Sequence, residues 1–130
     1  MRKTTILIAA LACMSVSCQE SLEERCEREA REYTSKKCPA PIGEGMTIDS
    51  MTFDRATHTL HYYYTLSGNM DNADIVNDAN VYGVLLEQVK NATSVKDYKD
   101  AGYSFAYTYH SAKDKGKVIC EVKYGPKDYR

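Results

Sequence analysis

The sequence predicts a single α+β domain in the order α-ββ-α-ββ, with a four-stranded antiparallel sheet covered by helices on one face. Three observations predict this fold. Two segments carry apolar residues at helical spacing, and two others alternate apolar and polar residues around a short turn, as hairpins do. The chain has 130 residues, enough for one modest core. Two isolated hairpins would not bury their apolar faces, so we expect one sheet.

The N-terminal 17 residues have the pattern of a cleaved export signal. Arg2 and Lys3 are basic, positions 6–16 are apolar, and small residues precede Cys18. The apolar run is shorter than the ~20 residues that a membrane-spanning helix needs. We therefore expect cleavage before Cys18 and lipidation of this cysteine. Cys13 also follows small residues and is the alternative lipidation site.

With Ser17 before Cys18 and Glu20, Glu23 and Glu24 soon after it, the leader resembles those of lipoprotein precursors of the Bacteroidetes kind. The resemblance implies a diacyl (palmitate-type) anchor and a bacterial cell-envelope location. The protein would be an outer-membrane lipoprotein that faces the periplasm or the cell surface. Two acyl chains make membrane attachment stable where one would be marginal.

Three segments follow from these features. Residues 1–17 are the predicted signal peptide, and residues 18–45 contain the lipidated N-terminus, an amphipathic helix and a Pro-containing linker. Residues 46–130 contain the two hairpins and the intervening helix. Removing the two basic leader residues leaves 15 of the 17 Lys and Arg against 18 Asp and Glu, a formal charge of about −3. Nucleic-acid binding therefore has no electrostatic support.

The first predicted helix covers Ser21 to Lys36. Its apolar face consists of Leu22, Cys26, Ala30 and Tyr33, and its other face is charged. Both a tether helix and a helix packed on a sheet have this pattern, and the regular apolar stripe favours packing. Pro39 and Pro41 then end the helix and predict a linker.

The first hairpin is predicted from Thr47 to Asp54 and from Thr59 to Ser67, with a turn at residues 55–58. In its second strand, one face is apolar and the other is half polar. The apolar positions are Leu60, Tyr62, Tyr64 and Leu66, and they alternate with His61, Tyr63 and Thr65.

A helix and a short helical turn are predicted between the hairpins. Asp71 or Asp74 is expected to cap the helix. Its predicted buried stripe is Ile75, Ala79, Tyr82, Leu86 and Val89. Gly83 lies inside it and either weakens the helix or admits a close neighbour. Gly102 is expected to end the following turn, which contains Val95, Tyr98 and Ala101, in a left-handed conformation.

The second hairpin alternates Tyr103, Phe105, Tyr107 and Tyr109 with smaller or polar residues, turns at residues 113–116, and returns through Val118, Cys120, Val122 and Tyr124. Both hairpins contain a Tyr-x-Tyr sequence, Tyr62 to Tyr64 and Tyr107 to Tyr109. In this respect the chain resembles uncharacterised bacterial secreted domains. The resemblance implies no activity.

Three cysteines remain after processing at Cys18, namely Cys26, Cys38 and Cys120. In an oxidising compartment we expect one disulfide and one free thiol. Cys120 is predicted to face inward, and Cys38 is its favoured mate, with Cys26 as the alternative. A catalytic cysteine would need a neighbouring base, and no histidine lies in a recognised context. We therefore expect no enzymatic activity.

Metal and cofactor binding are also not expected. His61 and His110 are too few to form a metal site without further ligands. Residues 69–74 offer oxygen ligands but lack the glycine and the distal glutamate of a calcium loop, so helix capping explains them better. No phosphate-binding loop is present.

Tyrosine supplies the remaining candidates, because the chain has eleven Tyr, two Phe and no Trp. Most are expected in the core, while Tyr63, Tyr124 and Tyr129 are predicted to form a recognition surface. The first functional hypothesis is a non-catalytic envelope lipoprotein that binds the membrane through its anchor and an unidentified envelope protein or glycan. The alternative is a small inhibitor of a secreted hydrolase that inserts its hairpin turns.

Overall fold

The structure, a computed structural model, describes residues 19–130. The predicted signal peptide and Cys18 lie outside this range, so their processing and lipidation remain predictions. The described residues form one α+β unit. Its helices are α1 (Leu22–Lys37), α2 (Ala73–Asp78), α3 (Val81–Asn91), α4 (Lys96–Asp100) and α5 (Pro126–Tyr129), and its strands are β1 (Ala40–Gly43), β2 (Met46–Asp54), β3 (Thr59–Leu66), β4 (Ser104–Ser111) and β5 (Val118–Tyr124).

The sheet has five strands in the order β1-β2-β3-β4-β5. The pairs β1–β2, β2–β3 and β4–β5 are antiparallel, whereas β3 and β4 are parallel. The prediction of a four-stranded antiparallel sheet is therefore wrong in strand number and in one strand direction. The coarser prediction of a single α+β domain with helices against a sheet is confirmed.

The additional strand, β1, comes from the segment that was predicted to be a linker. Ala40 pairs with Ile48 and Pro41 with Thr47, at one edge of the sheet. Proline lacks an N–H donor, but an edge strand needs donors on one side only. The prolines that end α1 are thus compatible with an extended edge strand, and both α1 and β1 belong to the same unit as the hairpins.

The parallel pairing follows from the long connection between β3 and β4. Residues 67–103 contain a 3₁₀ turn and the helices α2, α3 and α4. A crossover of this length carries the chain back along the sheet, so that β4 begins at the same end as β3. Thr59 consequently pairs with Ser104 and Leu66 with Ser111.

Helix α1 packs on the sheet, as its apolar stripe predicted. Ser21 caps it by accepting a hydrogen bond from the Glu24 N–H, and the Glu24 side chain accepts from the Ser21 N–H in return. Cys26 and Ala30 are buried against the strands. A free tether helix would leave both residues in water, so docking is confirmed.

The central helix is divided in two. Asn72, and neither Asp71 nor Asp74, caps α2 by accepting hydrogen bonds from the N–H groups of Asp74 and Ile75. Asn80 adopts a left-handed conformation and separates α2 from α3. The predicted buried stripe is partly wrong because this break rotates the two parts relative to each other. Val76, Leu85 and Val89 are buried, whereas Ile75 and Tyr82 are exposed.

Gly83 and Gly102 have conformational and packing roles that the sequence predicted. Gly102 has a φ of 80° and ends α4 in the left-handed region. A Cβ at Gly83 would lie 2.6 Å from the side-chain nitrogen of Asn80, so the glycine admits this close neighbour. Among the described residues, no helix is long and apolar enough to cross a membrane.

Candidate functional site

The helices lie on one face of the sheet, and this helical face contains most of the apolar strand side chains. On the central strands, Tyr62 stacks on Tyr107 with ring centroids 4.9 Å apart, and Tyr64 stacks on Tyr109 at 4.8 Å. These pairs follow from the parallel register, which places each residue of β3 opposite its partner in β4. The four tyrosine rings form a flat aromatic floor.

Two helices, α1 and α3, pack on this face of the sheet, one on each side of β3. Helix α1 lies over β2, where the Thr34 hydroxyl hydrogen-bonds the backbone of Met51. Helix α3 lies toward β5, because the Tyr124 hydroxyl donates a 2.7 Å hydrogen bond to the Tyr82 carbonyl. The space between α1 and α3 is a groove whose floor is β3 and its neighbours.

One part of the groove, a cavity of about 390 Å³, lies beside α3. Helix α3 lines it with residues at spacings of three, four and seven, namely Val81, Val84, Leu85 and Gln88. Ile42 of β1 and the floor residues Tyr64 and Tyr109 complete it. Ile42 is 53% exposed and Val84 is 50% exposed, so the mouth of this cavity is apolar.

A second cavity, of about 460 Å³, lies beside α1. Cys26, Ala30 and Tyr33 of α1 form one side, and the strands β2 and β3 form the floor. Ile42 and Tyr64 line both cavities, so the two are parts of one groove, which we call the apolar groove. Its floor runs along β3 for about 20 Å, at ~3.3 Å per residue from Leu60 to Leu66.

One end of the apolar groove is closed by contacts between α1 and α4. The Tyr98 hydroxyl donates a hydrogen bond to Glu29 and accepts one from Arg25 at 3.3 Å. Arg25 also lies 5.1 Å from the centre of the Tyr98 ring and forms a 3.0 Å ion pair with Asp97. These contacts hold α4 against α1 at the end of the groove that begins at Leu60.

The lining of the groove is mostly apolar, with one glutamate beside each cavity, Glu44 in the first and Glu29 in the second. Burial raises the pKa of Tyr64 to about 12, and burial also raises the pKa of Tyr62, Tyr107 and Tyr109. All four phenols are therefore neutral near pH 7. Among the described residues their hydroxyls make no hydrogen bond, and none is a fully buried unsatisfied atom. They can offer hydrogen bonds to a bound segment.

The opposite face of the sheet, which we call the polar face, carries a hydrogen-bonded chain of side chains. Thr108 donates to Glu121 at 2.6 Å and lies 2.7 Å from His61 Nε2. Because the threonine has only one hydroxyl proton, His61 donates from Nε2. His61 also stacks on Tyr63, with centroids 4.1 Å apart, and burial lowers its pKa.

The predicted recognition surface of Tyr63, Tyr124 and Tyr129 does not form. Tyr63 lies on the polar face and is partly exposed. Tyr124 is 0% exposed and Tyr129 is 8% exposed, so both belong to the core on the other side of the sheet. The Tyr129 hydroxyl donates to the Tyr103 carbonyl at 2.7 Å, which shows why this C-terminal ring is held inside.

The predicted disulfide between Cys38 and Cys120 is absent, and Cys26 is free as well. Cys38 precedes β1 at one edge of the sheet, and Cys120 lies in β5 at the other edge. Four strand spacings separate these edges by about 19 Å. A disulfide needs Cα atoms within about 7 Å, so the fold excludes this bridge.

The described residues also bring no cysteine and histidine together as a nucleophile and base. Cys120 shares the helical face with its partner Tyr109, whereas His61 lies on the polar face. Burial raises the pKa of all three thiols, that of Cys26 to about 12. Within residues 19–130, no group of three or more candidate metal ligands occurs.

The β2–β3 turn, which an inhibitor would use as a wedge, is attached to α1. Arg55 forms a 2.9 Å ion pair with Glu27, and His58 lies 2.9 Å from Glu23. The inhibitor alternative remains a prediction, but this turn is held at one side of the domain.

Sequence reasoning did not identify the apolar groove. Its signal was present in α3, since Val81, Val84, Leu85 and Gln88 share one face. The predicted stripe falls on other positions because the periodicity of residues 75–89 is that of one continuous helix. The linker predicted around Pro39 and Pro41 gives no indication that Ile42 lies beside the groove.

The described residues thus define a small α+β domain with one polar sheet face and one helical face that contains an apolar groove. Residues 21–120 match the sequence profile of a family described as a domain of unknown function, DUF8479, and the chain belongs to this family. No curated protein matches the sequence significantly.

Three solved structures share the fold. A Pseudomonas aeruginosa protein described as secreted matches with a TM-score of 0.70 and 16% identity, over 86% of this chain and 100% of its own. The pilotin EpsS from the Vibrio vulnificus type 2 secretion system matches with a TM-score of 0.62 and 10% identity, over 84% and 92%. The type II secretion system pilotin AspS from Vibrio cholerae matches with a TM-score of 0.56 and 16% identity, over 82% and 91%.

Proposed function

We propose that this protein is a non-catalytic lipoprotein of the cell envelope, anchored at the outer membrane through Cys18, and that its apolar groove binds an apolar segment of an envelope protein. The observation that carries the proposal is the groove itself. It combines two mostly apolar cavities and is open at Ile42 and Val84.

The dimensions of the groove fit an amphipathic helix. A helix rises 1.5 Å per residue, so about 13 residues span the ~20 Å floor. Such a helix would place apolar side chains on the tyrosine rings and against Val84, as in other helix-in-groove complexes. The unbonded tyrosine hydroxyls would hydrogen-bond polar atoms of the segment without introducing charge.

A short tether supports a role near the membrane. Helix α1 begins at Leu22, only four residues after Cys18. These residues span at most about 14 Å when extended, so a lipid on Cys18 would hold the domain close to the bilayer. A partner would then be an envelope protein within reach of that surface.

The structural comparisons also support a protein partner. Two of the proteins that share the fold are described as pilotins of type II secretion systems. Proteins of a secretion system work in a multi-protein assembly, which favours a protein segment over a glycan as the occupant of the groove.

The test is crosslinking in intact cells that express the tagged full chain, followed by denaturing purification and mass spectrometry. Val84→Glu places a charge in the groove, whereas Ile75→Glu is the matched control, because Ile75 is 42% exposed and lines neither groove cavity. We expect one recurrent envelope protein with the natural chain and with I75E, and at least a tenfold lower yield with V84E. Equal yields from the two variants would contradict the proposal, as would no recurrent envelope protein when a control lipoprotein crosslinks efficiently.

A further inference from the structure

Strand β5, which α2 contacts, forms one edge of the sheet. It hydrogen-bonds to β4 and to no other strand, and within residues 19–130 no backbone group pairs with its outer side. The edge strand β1 differs, because it has four residues and contains Pro41, which blunts strand pairing. Strand β5 has seven residues and no proline, and its one register irregularity, at Ile119, lies outside the segment from Cys120 to Tyr124. It is therefore the edge that can accept another strand.

The charged side chains on the edge of β5 indicate which kind of strand can pair with it. Glu121 and Lys123 flank Val122 and are exposed on the polar face. When two copies of β5 run antiparallel with Val122 opposite Val122, Glu121 of each copy lies opposite Lys123 of the other. Opposite charges directly across an antiparallel pair stabilise it, and like charges destabilise it. The strand is thus complementary in charge to itself.

The apolar side of the edge is consistent with the same pairing. Cys120 and Val122 face the helical side and are only partly buried, and Val118 is 48% exposed at the start of the strand. A second strand would cover Val122 and Cys120. A shift of one residue would instead place helical-side residues on the polar face, so the alternation of side chains fixes the register.

We propose that β5 pairs antiparallel with β5 of a second copy of this chain, joined at Val122 and held in register by Glu121 and Lys123. The two sheets then form one continuous sheet, with the helical faces of both copies on the same side. This pairing leaves both apolar grooves open. It is independent of the function proposed for the groove.

The test is thiol crosslinking of the full chain in intact cells. In a C38S/C120S background, V122C places two thiols opposite each other, within ~5.5 Å between their Cβ atoms, in reach of a disulfide or a short bis-maleimide. V118C is the matched control, because Val118 is exposed on the same strand but would lie beyond the end of the partner strand. We expect a covalent dimer from V122C at a yield at least fivefold above that from V118C.

The charges are tested in the V122C background. K123E places two glutamates opposite each other while leaving the hydrogen bond from Thr108 to Glu121 in place, so the dimer yield is expected to fall at least threefold. The exchange E121K/K123E restores opposite charges and is expected to recover the yield. Three results would overturn the proposal: equal yields from V122C and V118C, a K123E variant that crosslinks normally, or a V122C adduct that mass spectrometry identifies as another protein.

Discussion

The Thr34 hydroxyl in α1 lies 2.9 Å from both the N–H and the C=O group of Met51 in β2. Strand β1 pairs with β2 only as far as Ile48, so the outer backbone groups of Met51 have no strand partner. The Thr34 hydroxyl provides the hydrogen-bond partner that a neighbouring strand would otherwise provide. This contact explains how α1 docks along the part of β2 that β1 does not cover.

We expect Thr34→Val to destabilise the domain by about 1–3 kcal/mol, because the Met51 N–H would lose its acceptor and the Ala30 and Met51 carbonyls would lose the single hydroxyl proton that they share. The free energy of unfolding from urea titration is the measurement. Thr34→Ser retains the hydroxyl and should recover most of the loss. Ser35→Ala is the control, since Ser35 bonds only the Glu32 carbonyl of its own helix. A T34V variant as stable as S35A would contradict this role.

Tyr98 closes the end of the apolar groove through its hydroxyl. We expect Tyr98→Phe to reduce the free energy of unfolding by about 1–2 kcal/mol, because Glu29 and Arg25 lose a shared partner while the ring stays buried. Hydrogen exchange should quicken in α4 and in the N-terminal half of α1. Tyr63→Phe provides the control, because the Tyr63 hydroxyl makes no hydrogen bond within the described residues. Unchanged exchange in both helices of Y98F would show that other contacts hold α4.

The stability of the domain is expected to decrease below pH 6.5 through His61. Burial lowers the pKa of His61 in the folded state, so the unfolded chain, with an ordinary pKa near 6.5, binds the proton more readily. This contribution is complete above about pH 6.5 and is lost as the pH falls through the lower, folded pKa.

Unfolding free energies between pH 7 and pH 5 test this effect. His61→Gln should flatten the slope, whereas His110→Gln keeps His61 and should keep the slope. NMR titration of the imidazole resonances should place the His61 midpoint below 6.5. A midpoint at or above 6.5, or a slope that H61Q does not change, would show that burial does not control the charge of His61.

Local sequence patterns predicted those elements whose formation depends on residues close to one another in the chain. The apolar stripe through Cys26 and Ala30 predicted α1 to within one residue at each end. The alternation of apolar and polar residues predicted β3 and β4, and Gly102 predicted the end of α4. In each case, side-chain periodicity or a left-handed glycine acts over a few residues.

Contacts between residues far apart in the chain could not be predicted from the sequence. The tyrosines near the C-terminus gave no sign of their burial, because the contact that holds Tyr129 inside is with the Tyr103 carbonyl, 26 residues away. The distance between Cys38 and Cys120 depends on the order of all five strands. Neither quantity is encoded in local spacing.

The sequence by itself determined the presence of the two hairpins, the amphipathic first helix, the slightly negative net charge and the candidate lipidation signal at Cys18. These properties depend on composition and periodicity. Only the tertiary structure decided that β3 and β4 are parallel, that the Pro39–Pro41 segment contributes an edge strand, and that α1 and α3 leave an apolar groove between them. Each of these depends on how separate elements pack to bury apolar surface and satisfy backbone hydrogen bonds.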